Sequence, residues 1–240
     1  MAYAPMYELW TRTEGEDRFD LVLDLGHAED YPRSDMPWFF GVRLPLTDQQ
    51  EDGLPGPEEH ERLTHVENRV REQVRGRDGL YVGRRTGAGA RDLLFYLPSR
   101  PRGIEDRLRM TIGSHLMFIS RADPQWIGYE SLLPQPRELR QMEDRRLLQD
   151  YLDAGVEEGM DVIVMHRVLT SSPKGAAALV GLFEKLGLAE NEYFGERPEI
   201  TVIGFQQTLF ELEPIHKVAW VLESKSPKAR GEYEGWSVSG

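Results

Sequence analysis

The sequence predicts an α+β protein in two parts. An antiparallel-sheet α+β domain over residues 1–135 precedes a ferredoxin-like βαββαβ domain over residues 136–240. Three observations predict it. Phe19, Leu21, Leu23 and Leu25 alternate with polar Asp20 and Asp24, the period of a strand with one wet face. Leu63, Val66, Val70 and Val74 recur at helical spacing and stop at Gly76. Pro134-Gln135-Pro136 places two prolines where a regular element would have to continue, which marks a boundary.

In chain order, Tyr7 to Thr13 reads as a strand, Glu14-Gly15-Glu16-Asp17 as a turn, and Phe19 to Leu25 as the returning strand. Phe39 to Leu46 is a third strand. The Pro/Gly/Asp-rich stretch from Asp48 to Pro57 is a loop whose last proline opens a helix. Leu80 to Arg84 and Arg91 to Leu97 form a hairpin around Thr86-Gly87-Ala88-Gly89. A short helix follows from Pro101, then a strand from His115 to Ser120, with the helices expected on one side of the sheet. After the boundary, Leu139, Met142, Leu148, Tyr151 and Leu152 mark a helix to Gly155. Met160 to Thr170 is a strand. Ser171/Ser172 and Pro173 then start a helix through Leu179, Leu182, Phe183 and Leu186 that Gly187 stops. Glu190 to Gly195 and Ile200 to Phe210 are strands, Pro214 to Ser224 a helix, and Glu232 to Val238 the closing strand. The order βαββαβ is the split βαβ pattern.

Composition excludes several chemistries. The 240 residues contain no cysteine, which removes disulfides, thiolate nucleophiles and Cys-ligated metals, and fits a reducing cytoplasm. No apolar run approaches the length of a membrane span, and the N-terminus lacks a secretory pattern. Cytoplasmic location and no membrane partner are therefore expected. The net charge of −12 argues against direct nucleic-acid binding, which needs a basic face. That charge is uneven. Residues 1–59 balance at −10, residues 60–110 at +5 with arginine as every basic residue, and residues from Pro136 onward at −6. The arginines either meet acidic neighbours across one domain or present a face to an anionic partner.

Candidate motifs weaken under geometry. In His60-Glu61-Arg62-Leu63-Thr64-His65 the histidines are five apart, about 140° around a helix, so one metal does not reach both. Gly83, Gly87 and Gly89 lie between two strands, a hairpin setting rather than the strand-to-helix turn of a phosphate loop. Arg84, Arg85 and Arg91 beside them are candidate anion-binding residues. His166 has no serine elbow and no cysteine to serve, so it reads as structural. His216 reads the same way, and the Glu157/Glu158 and Asp161 carboxylates read as turn solvation. Tyr233-Glu234-Gly235-Trp236 is either core or contact surface. No catalytic set, no metal and no cofactor is expected.

The stretch from about Met142 to Gly240 resembles the bacterial regulators of ribonuclease activity, type B. The resemblance rests on Leu148-x-x-Tyr151-Leu152-x-x-Gly155, on the strand Val162-Ile163-Val164-Met165-His166, on Lys185-Leu186-Gly187, and on Glu232-Tyr233-Glu234-Gly235-Trp236. It implies a ferredoxin-like fold and action by binding a ribonuclease, not catalysis. On that basis His166, Tyr233, Glu234 and Trp236 are candidate partner-binding residues. The N-terminal half is similar to an uncharacterised bacterial domain fused ahead of such regulators, through Pro37-Trp38, Asp52-Gly53-Leu54-Pro55, Asp123-Pro124-Gln125-Trp126, Tyr129 and Pro134. Two departures stand out. The segment Gly155 to Asp161 is stretched, and Arg167-Val168-Leu169 replaces aromatics found in the fused relatives. The expected function is a non-enzymatic regulatory or adaptor protein that binds another protein, a ribonuclease being the implied partner. The alternative is a small anionic-ligand binder or enzyme that uses the arginine-rich N-terminal domain.

Overall fold

In the computed structural model, residues 4–113, 115–194 and 199–239 are described, and the side chains of 190–194 are left aside. The chain divides into two compact units, Met1–Gln135 and Pro136–Gly240. Both combine helices with antiparallel sheet, the α+β class.

The first unit holds strands β1 (Tyr7–Glu14), β2 (Asp17–Asp24), β3 (Trp38–Pro45), β4 (Leu80–Gly87), β5 (Ala90–Leu97) and β6 (Met117–Ala122). Its helices are α1 (Pro57–Arg75), α2 (Ile104–Thr111) and α3 (Ile127–Glu130). The six strands pair antiparallel in the order β1-β2-β4-β5-β3-β6. Leu63, Val70 and Val74 of α1 and Leu108 of α2 pack on Phe40, Val42, Leu93 and Phe95. The opposite face is also covered, against the expectation that helices lie on one side only. There Trp126 stacks on Tyr96 at 4.1 Å, and the Tyr129 hydroxyl donates to the Asp24 carbonyl at 2.7 Å. Both faces of β5 are therefore buried, which is why Leu93 to Leu97 is a continuous apolar run rather than an alternating one.

The Asp123-Pro124-Gln125-Trp126 segment owes its shape to one carboxylate. Asp123, buried, accepts from the Ile127 and Gly128 amides at 2.9 Å each and from the Tyr96 hydroxyl at 2.7 Å. It caps α3, a helix the sequence pattern does not announce because it is one turn long. Two boundaries also move. The helix expected from Pro101 begins at Ile104, because Gly103 has a left-handed φ of 72°. The hairpin turn shrinks to Ala88-Gly89, both left-handed, and the strands run on through Arg85, Thr86 and Gly87. Gly87 is then a strand residue pressed against Phe19 and the Arg18 carbonyl, with no room for a Cβ.

The second unit holds α4 (Pro136–Asp153), β7 (Asp161–Thr170), α5 (Pro173–Lys185), β8 (Ala189–Phe194), β9 (Ile200–Leu209), α6 (Leu212–Lys225) and β10 (Gly231–Val238). The expected strand to Gly195 ends at Phe194 here, and Gly195 itself lies outside the described residues. The sheet order β10-β7-β9-β8, all antiparallel, is the split βαβ arrangement. Alternation along β7 buries Val162, Val164, His166 and Val168 beneath the helices. Leu179 and Phe183 of α5 and Leu222 of α6 pack with Val168 and Val202. Ile215 and Ala219 of α6 join Leu148, Val164, Phe210 and Trp236. A β-bulge between Tyr233 and Gly235 interrupts the β10 register and leaves Glu234 out of the pairing.

Candidate functional site

In the first unit, α1 covers the β5 side of the sheet but leaves the β1–β2 end of the same face open. Leu9, paired with Val22, is 46% exposed there. The loop carrying Asp52-Gly53-Leu54-Pro55 folds over this edge and encloses a cavity of about 320 Å³. Leu54 is buried, and its amide donates to Asp52 Oδ1 at 3.1 Å. Leu9, Val22, Leu54 and Pro55 supply the apolar lining, and Arg18, Asp20, His60, Arg84, Thr86 and Arg91 the polar one.

One carboxylate organises the inner end. Glu67 of α1, 2% exposed, accepts from the Tyr81 hydroxyl at 2.8 Å, from Arg84 at 3.1 Å and from Arg91 at 3.3 Å. Arg91, 1% exposed, also donates to Thr86 Oγ1 at 3.1 Å, and its other terminal nitrogen lies 3.3 Å from His60 Nδ1. That ring nitrogen is the acceptor, since a guanidinium only donates. Desolvation, then Arg91 and Arg84, push the His60 pKa below the ordinary histidine value. Burial, then Arg84, also lowers the Arg91 pKa. At the mouth Arg18 pairs with Asp52 at 3.2 Å, and the Thr11 hydroxyl donates to Asp20 at 3.2 Å.

Arg84 and Arg91 thus converge, and Arg85 does not join them. Successive strand residues face opposite sides, so Arg85 lies on the other face of β4. It pairs with Glu14 at 2.8 Å and sits over the Phe19 ring at 3.6 Å. His60, Asp20 and Arg18, which pattern reading did not assign to a site, complete the cavity. Arg84 and Arg91, named as candidate anion-binding residues, and the Asp52-Gly53-Leu54-Pro55 segment, singled out through the resemblance, signalled its position.

In the second unit the four predicted partner-binding residues separate. His166 is wholly buried and Trp236 is 5% exposed, so neither presents a surface, a correction to the expectation of direct contact. Both belong to a polar network under the helices. Gln206 fixes its own orientation by donating from Nε2 to the Pro214 carbonyl at 3.2 Å. Its Oε1 therefore accepts from His166 Nε2 at 2.9 Å, and His166 Nδ1 accepts from the Tyr233 hydroxyl at 2.8 Å. Burial lowers the His166 pKa to about 4. Alongside, buried Asp144 accepts from Arg140 at 2.8 Å, Trp236 Nε1 at 2.8 Å and His216 Nδ1 at 2.9 Å. Arg140 lies over the Tyr233 ring at 5.6 Å, which joins the two halves of the network.

Glu234 is different. The bulge turns it toward the sheet face that no helix of this unit covers among the described residues, 3.5 Å from Arg167. That face carries Ile163 at 49% and Leu209 at 44% exposure near one end, with half-buried Met165, Leu169, Ile203 and Phe205 farther along the two strands. Register sets Met165 beside Phe205 and Arg167 beside Ile203. Exposed Asp161, Glu232 and Glu234 rim it.

These features define a two-unit α+β protein with a polar cavity in one unit and an apolar, acid-rimmed sheet face in the other. Residues 17–134, nearly all of the first unit, match the model of a family described as "Family of unknown function (DUF695)". Among solved structures the chain is similar to one titled "Crystal Structure of an Unknown Protein from Galdieria sulphuraria". Identity is 10% over 85% of this chain and 99% of that one, with a TM-score of 0.24. No curated protein matches the chain. No group of three or more His, Cys, Asp or Glu able to hold a metal occurs among the described residues.

Proposed function

We propose that the protein is a non-enzymatic regulatory or adaptor protein whose second unit docks a protein partner on the helix-free face of its split βαβ sheet. The observation that carries this reading is the set of exposed apolar side chains, Ile163 and Leu209 above all, on the helix-free face of the four-stranded sheet. Exposed contiguous apolar surface of this kind marks interaction sites. The acidic rim and the −6 balance beyond Pro136 favour a basic partner surface and speed its approach by complementary charge. A ribonuclease, whose RNA-binding surface is basic, is the partner implied by the resemblance of this unit to the ribonuclease regulators.

The test is binding of the full chain to purified bacterial endoribonucleases by analytical sedimentation. Ile163→Glu combined with Leu209→Glu changes exposed side chains and leaves the core untouched. A complex formed by the wild type and lost in the double variant supports the proposal. A complex that survives the double variant removes this face from it, and no complex with any of the nucleases removes the ribonuclease.

A further inference from the structure

The first unit carries a second site, independent of the docking face. We infer that its cavity binds a small molecule with a carboxylate or phosphate at one end and a hydroxyl or ammonium donor at the other, held between the Arg84–Arg91–His60 cluster and Asp20. Three features carry the inference. The cavity is about 320 Å³, the lower end of the size range of small-molecule sites. At its inner end two guanidinium groups share one carboxylate, Glu67, and the remaining Arg91 contacts are to neutral Thr86, Thr64 and His60. The pair therefore carries one net positive charge, on side chains 1% (Arg91) and 22% (Arg84) exposed, and a largely desolvated cation without a counter-charge is costly. An anionic group of a bound molecule supplies that counter-charge.

The cavity floor is also dipolar. Asp20 on β2 faces Thr86 on β4, which faces Arg91 on β5. Asp20 thus lies two strand spacings from Arg91, on the order of 10 Å, and one strand from Arg84, which pairs with Val22. The other carboxylate at the mouth, Asp52, is already matched by Arg18. Asp20 accepts from the Thr11 hydroxyl and forms no ion pair among the described residues, which leaves lone pairs to accept from a donor. A bound molecule spanning the floor would satisfy both ends. Leu9 and Val22 would cover its apolar middle.

Calorimetric titration of the full chain with inorganic phosphate, succinate and L-aspartate at matched ionic strength tests this. Phosphate and succinate separate the two anion chemistries. Aspartate differs from succinate only by its ammonium group. Saturable binding of at least one probe is expected, weakened about tenfold or more in Arg84→Gln and in His60→Leu. Arg84→Gln leaves Tyr81 and Arg91 on Glu67, and His60 is exposed, so at least one of the two variants remains folded. Arg100→Gln, outside the cavity, is expected to bind like wild type. No saturable binding of any probe, or equal binding in both cavity variants, overturns the site. Aspartate binding no tighter than succinate overturns the role of Asp20.

Discussion

At the scale of single residues, Asp144 and His166 of the second unit each bind more than one polar partner in the buried network, and each partnership has a cost when broken. Asp144→Ala strips the acceptor from Arg140, Trp236 and His216 together, and urea unfolding should report a loss of about 3–5 kcal/mol. Trp236→Phe removes one hydrogen bond to a charged group and should cost about 2 kcal/mol. His166 makes stability depend on pH. Its pKa is 6.5 when unfolded and about 4 when folded, so between those values only the unfolded chain takes up the proton. Its contribution is therefore full above pH 6.5, falls by about 3 kcal/mol on acidification to pH 4, and is level below. His166→Gln should flatten that part of the stability profile. Little of this was legible in sequence. Trp236 and Asp144 are 92 positions apart, and no local pattern announces such a bond. The separation of Arg84 from Arg85, by contrast, follows from period two once β4 is extended past Arg84. The turn glycines concealed that extension, because Gly87 serves the neighbouring strand rather than the turn.

At the scale of elements, periodicity located nearly every helix and strand, and tertiary contacts moved their ends. The one-turn α3 was invisible because its cap, Asp123, works through Tyr96 of a distant strand. Helix α5 offers a comparison in which helical propensity and packing disagree. Gly175 lies near its N-terminus, where a Cβ would collide with the Ala229 carbonyl and approach Thr170 Oγ1 to 2.7 Å. Gly181, in the same helix, has open space around it. Alanine is the better helix former at both positions. Gly181→Ala should therefore raise stability by about 0.5–1 kcal/mol, and Gly175→Ala should lower it by about 1–3 kcal/mol. Denaturant midpoints of the two variants against wild type decide this. A gain in both would mean that the loop around Ala229 yields easily.

At the scale of the whole molecule, each unit contains its own sheet and has its own core, as the proline pair at the boundary suggests. A chain of residues 136–240 alone should accordingly unfold cooperatively, seen as coincident fluorescence and circular dichroism transitions. Noncoincident or absent transitions would show that the second unit depends on the first. The two proposed sites divide along the same boundary. The polar cavity belongs to the unit that matches a family of unknown function, and the apolar face belongs to the split βαβ unit. The proposed regulatory role rests on the latter alone. RNA cleavage by a purified bacterial endoribonuclease, followed while the full chain is titrated to saturation, tests it most directly. The proposed docking role predicts a cleavage rate that falls with wild-type protein and recovers with the Ile163→Glu, Leu209→Glu variant. Cleavage unchanged at saturation, or lowered equally by both proteins, would contradict it.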